Sequence, residues 1–195
     1  GSGSLTIRNA TFDASMVAAE VDQDVYVGGI LGIAEGTDVT LEQVRVVGDI
    51  VSAGRMVGGI VGNVLGSDLS VRGALRSGLT KGTRSVAGIV AVTIDQLSGE
   101  HVSIQDAEVH GTILVASSED FAGGVLAYHG LSTLSVVDVE VSASVTGNKD
   151  VGGVLGMAFD AVVSIDHADV TGDVSGSWNP AGVVGVVQQA SSVSV

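Results

Sequence analysis

The chain has 195 residues, with 45% hydrophobic side chains, 3% aromatic, 29 glycines, no cysteine and a formal net charge of −14. The missing cysteines exclude a disulfide framework and a cysteine-based zinc site. So acidic a balance excludes nucleic acid, whose phosphates need clustered Lys and Arg, and disfavours anionic membranes for the same reason.

Gly1-Ser2-Gly3-Ser4 reads as a linker, leaving residues 5–195 as one repeat domain. A ten-residue phrase follows at once, LTIRNATFDA at Leu5–Ala14, and then a hexapeptide, VGGILG at Val27–Gly32. Both recur. The ten-residue phrase returns as VTLEQVRVVG (Val39–Gly48), LSVRGALRSG (Leu69–Gly78), VSIQDAEVHG (Val102–Gly111), LSVVDVEVSA (Leu134–Ala143) and VSIDHADVTG (Val163–Gly172). The hexapeptide returns as VGGIVG (Val57–Gly62), VAGIVA (Val86–Ala91), AGGVLA (Ala122–Ala127), VGGVLG (Val151–Gly156) and PAGVVG (Pro180–Gly185). Its starts are 30, 29, 36, 29 and 29 residues apart, the long step reflecting an insertion around Ile94–His101. Val193-Ser194-Val195 opens a seventh copy, so the domain reads as a segment of a longer chain.

A fixed period of this length marks stacked supersecondary units rather than one globular core. Within the ten-residue phrase, positions one and three are apolar, then positions six and eight, with a change of register between them. Arg76 breaks the pattern once, at position eight of copy three. Alternation at period two is the pattern of half-buried strands, and the Gly and Val content argues against helix. In coil two the strand-like runs are Val39–Val47, Asp49–Ser52 and Met56–Val64. Runs that stack on their counterparts one repeat later must be parallel. The expectation is an all-β, right-handed parallel β-helix of about six coils of ~30 residues with three short strands per coil. With strands about 4.8 Å apart, it would be a rod roughly 29 Å long.

The second glycine of each hexapeptide (Gly29, Gly59, Gly88, Gly124, Gly153 and Gly182) is present in every copy, whereas Ala87 and Ala181 replace the first in copies three and six. The tighter structural constraint is therefore expected at the second. The phrases GGILG, GGIVG and GGVLG resemble GLUG-type repeats, with departures at Ala91, Ala127 and Pro180. Such repeats occur in large secreted or surface-exposed bacterial proteins, often adhesin-like and sometimes beside protease domains. The resemblance implies an extracellular stalk or adhesive region whose partner is a protein or glycan on a host or neighbouring cell, and no active site.

Charge is unevenly spread along the chain. Through Arg84 there are nine acids against seven Lys/Arg; from Ser85 onward there are thirteen acids against Lys149 alone. One reading is solubility by self-repulsion. The sharper one comes from the outward positions four, five and seven of the ten-residue phrase, which carry Asp106 and Glu108, Asp138 and Glu140, then Asp166 and Asp169 in successive copies. Stacking puts Glu108, Glu140 and Asp169 in one column. Like charges so close call for screening, and oxygen-only clusters suit Ca²⁺. Asp22-x-Asp24 is too short to form a loop site.

An enzyme is the rival class, a calcium-dependent lyase or hydrolase acting on polysaccharide through paired carboxylates. Against it, the acidic half offers Lys149 as its sole Lys or Arg, and Trp178, Tyr128, Phe121 and Phe159 occupy scattered repeat positions. The four histidines share no ligand spacing and read as exposed strand or turn residues. Trp178-Asn179-Pro180 reads as a turn entering coil six with its ring packed on the coil. No GxSxG elbow or phosphate-binding glycine loop is present. The Ser/Thr column from Thr6 to Ser164 is too narrow for an ice-binding plane. The sequence therefore points to a non-catalytic repeat segment that spaces or presents an adhesive surface, along an outer strand face or the glycine-rich edge.

Overall fold

The computed structural model describes residues 3–18, 25–94, 100–117, 121–189 and 191–195. It is all-β, with no helix among the described residues, and every paired strand is parallel to its neighbours. The chain winds as a β-solenoid of about six turns, and the turns stack into one 14-stranded and two 6-stranded sheets.

The first sheet carries the ten-residue phrase. Leu69 sits between Val39 and Val102, Leu134 between Val102 and Val163, and Val163 next to Val193, so the closing residues begin a seventh rung. Gly3 and Ser4, assigned to a linker on sequence, extend the first strand, Gly3–Arg8, and pair with Thr37 and Asp38.

The register change within the phrase has a backbone cause. Position five is left-handed in every copy: Asn9, Gln43, Gly73, Asp106, Asp138 and His167 have φ between +51° and +65°. One such residue turns the strand so that inward positions resume at six instead of five. Asn, Asp, His and Gly are the residues that enter this region most readily. A second left-handed column, Gly36, Gly66, Leu131, Asp160 and Gln189, turns the chain back into the first sheet.

The glycine hexapeptide makes the corner between the second and third sheets. In coil two the run expected as Met56–Val64 is divided at Gly59-Ile60 into Met56–Gly58 of the second sheet and Val61–Leu65 of the third. Arg45–Val47 and Ile50–Ser52, by contrast, both join the first sheet. None of the paired glycines has positive φ; their requirement is space. A Cβ on Gly29, Gly124 or Gly153 would lie 2.7, 2.6 or 2.7 Å from a methyl of Val46, Val141 or Val170, and would also meet the carbonyl of the next glycine in the column. Gly59 and Gly88 face Arg76 and Val109 in the same way, whereas nothing lies within 4 Å at Gly182. The first glycines are equally crowded: a Cβ on Gly28 would lie 2.6 Å from the Gly62 nitrogen, and one on Gly152 2.7 Å from the Val183 carbonyl. Constraint is thus shared by both columns and is not confined to the second. Copy three carries Ala87 in the first, fully buried.

The core is a thin aliphatic stack in which Leu41, Val46, Ile60, Ile89, Val109, Val125, Leu134, Val141 and Val154 are fully buried. Several buried polar side chains interrupt it, Arg76 and His129 the largest among them. Arg76 is 1% exposed. Its guanidinium donates from Nε to Thr80 Oγ1 at 3.0 Å and from one terminal nitrogen to the Leu79 carbonyl at 2.8 Å; the other terminal nitrogen donates to the Ser77 carbonyl. Burial lowers its pKa to about 10, with Asp49 opposing, so it stays charged at neutral pH. His129, read on sequence as a surface residue, is fully buried instead. It occupies an inward column with Ala34, Val64, Thr93, Ala158 and Val187. Its Nδ1 lies 2.7 Å from Thr93 Oγ1, and burial pushes its pKa down to about 4, so the ring is neutral.

Candidate functional site

Because position five turns left-handed, the outer surface of the first sheet is notched along its length. The candidate acids line that notch in three columns. Asp106 and Asp138 stand in the left-handed column itself. Glu108, Glu140 and Asp169 are in direct register one rung apart, as the period predicts. Asp166 belongs to position four, beside Val137, and His167 takes the rung above Asp138.

Basic side chains answer most of these carboxylates. Arg72, one coil below, reaches Asp106 with Nε at 3.3 Å from Oδ2. His167 Nδ1 lies 3.1 Å from Asp166 Oδ1 and 3.9 Å from Asp138 Oδ1. His110 Nε2 is 3.4 Å from Glu108 Oε2, while its Nδ1 is 2.6 Å from Ser142 Oγ. All these groups are largely exposed, so each pair contributes at most about 1 kcal/mol. Among the described residues, no group of three or more His, Asp or Glu side chains converges closely enough to hold a metal ion. Asp22 and Asp24 lie outside the described residues, as does most of the insertion expected around Ile94–His101.

At its basic end the notch widens into a cleft of about 480 Å³. Asn9, Gln43, Gly73 and Asp106 form one wall from the left-handed column; Arg45, Leu75 and Glu108 face them from position seven. Gly73 supplies the opening, since it has no side chain and the Gln43 amide lies across it. Planar amides, a guanidinium and carboxylates around Val44, Ala74 and Leu75 suit a polar, hydroxyl-rich ligand held by hydrogen bonds.

Sequence reasoning missed the arginines here. Arg45 and Arg72 belong to the less acidic half of the chain, but the winding sets them one or two rungs below Asp106 and Glu108. Counting one period back from Asp106 would have found Arg72, and two periods back from Glu108 would have found Arg45. The aromatic residues were also misjudged: Phe121 and Tyr128, read as scattered, have ring centroids 5.3 Å apart across the glycine corner. Trp178, expected to pack on the coil, is 69% exposed.

No protein-family model, curated protein or solved structure matches the chain. Among the described residues, no helix is long and apolar enough to cross a membrane.

Proposed function

We propose that this chain is a non-catalytic presenting segment, a stacked rod whose outer strand face makes adhesive contacts. We further propose that it is a GLUG-type repeat region of a secreted or cell-surface bacterial protein, with a glycan or protein of a host or neighbouring cell as partner. The observation that supports this best is the cleft around Gln43 and Gly73, which is shallow, polar and built from stacked outward positions of the repeat. Such a surface offers hydrogen bonds to a ligand lying along the rod without enclosing it.

A polysaccharide-active enzyme dependent on calcium is the second reading. What favours it is that Arg45 and Arg72 stand beside Asp106 and Glu108, the cation-next-to-carboxylates arrangement that the sequence alone did not offer. Against it, Asp106 is already engaged by Arg72, and both side chains are open to solvent.

One experiment separates the two. The chain is applied to an array of neutral and acidic glycans and to intact cells, and released sugar ends are assayed in parallel. The expected result is binding with no product, weakened about fivefold by Arg45→Ala or by Asp106→Asn, which keeps a residue tolerant of left-handed φ. Product formation would transfer the case to the enzyme; absence of binding to every glycan and cell tested would remove adhesion.

A further inference from the structure

On the other side of the molecule, the outward faces of the second and third sheets meet at the glycine corner and enclose a groove of about 290 Å³. The register builds it. Met56, Ser85 and Phe121 occupy successive rungs of one column, and Val92 and Tyr128 adjacent rungs of another. Burial raises the Tyr128 pKa, so its phenol is uncharged at neutral pH. The two rings tilt at 47° to each other, with centroids 5.3 Å apart, and both line the groove.

One polar feature gives this apolar groove a chemical preference. Arg84 stands at its edge, exposed, with no side-chain hydrogen bond or ion pair among the described residues. Arg8 and Arg72 are matched to carboxylates and Arg76 is buried on carbonyls. An unengaged guanidinium in a molecule of charge −14 is complementary to an anion.

We infer that this groove binds a molecule joining an apolar chain or ring to a carboxylate. The apolar body packs on Met56, Val92, Phe121 and Tyr128, and the carboxylate sits on the Arg84 guanidinium. The inference stands apart from the adhesive function and survives its failure, since the cleft around Gln43 lies on the first sheet and this groove between the other two.

The test uses the whole chain with methyl-labelled side chains, titrated with decanoate and separately with decanol. Decanoate is expected to shift the Met56, Val92 and Ile94 methyl signals saturably. Arg84→Gln, an exposed change that leaves the fold intact, is expected to weaken decanoate about tenfold and leave decanol unaffected. Three results would overturn the inference: no saturable shift, shifts centred elsewhere, or decanoate affinity that does not depend on Arg84.

Discussion

At the scale of single residues, the buried polar groups set the chemistry of the interior. Arg76 replaces the valine found at its column in neighbouring coils, Val46 and Val109, and carries its charge inward onto carbonyls that its own corner exposes. His129 does the opposite and gives up its charge. The folded protein holds it neutral to about pH 4, while an unfolded histidine protonates near pH 6.5. The stability that depends on neutral His129 is therefore complete above about pH 6.5. It declines as the pH falls and is lost below about pH 4, a change of about 3 kcal/mol. His129→Val, which installs the residue of Val64 and Val187 in that column, should remove this part of the acid sensitivity. Urea midpoints of both proteins between pH 4 and 7 check it, because their difference cancels the carboxylates that titrate in the same range. Parallel pH profiles would place His129 in a solvated site.

At the scale of elements, each coil depends on where the chain can bend. Left-handed columns make bends within and into the first sheet, and paired glycines make the corner between the second and third, by letting a valine methyl and a neighbouring carbonyl close over them. Gly124→Ala should therefore destabilise the protein by about 1–3 kcal/mol through forced displacement of Val141 and the Gly153 carbonyl. Gly182→Ala, with open space at that position, should change stability little. Equal losses from the two substitutions in thermal unfolding would contradict the close-approach explanation. The period, the parallel stacking and the special standing of the glycines were legible in the sequence because each repeats on every rung, and the in-register acid column because it recurs in copies four to six. The left-handed column was visible only as a shift of register, its cause concealed by five residue types serving one backbone need. His129 and Arg76 appear once each, so periodicity carried no signal for them beyond a broken pattern. Comparing His129 with Ala34, Val64 and Ala158 would have turned it inward.

At the scale of the whole molecule, charge runs along the axis, from nearly balanced in the coils before Ser85 to strongly acidic after it. The winding moderates this contrast by reaching across coils, as Arg72 does to Asp106 and Arg8 to Glu42. Where no arginine is in reach, His110 and His167 stand among the acids. Water and salt can screen the rest, because the Glu108–Glu140–Asp169 column faces outward. The central expectation is that these columns form a solvated, partly ion-paired face of the solenoid, as the proposed presenting role requires. The most direct measurement is the melting temperature in millimolar Ca²⁺ and again in chelator at matched ionic strength, since a site that binds only the folded state raises it with occupancy. The account expects equal melting temperatures; a saturable rise that Glu140→Gln and Asp169→Asn abolish would contradict it and bring calcium-dependent chemistry forward.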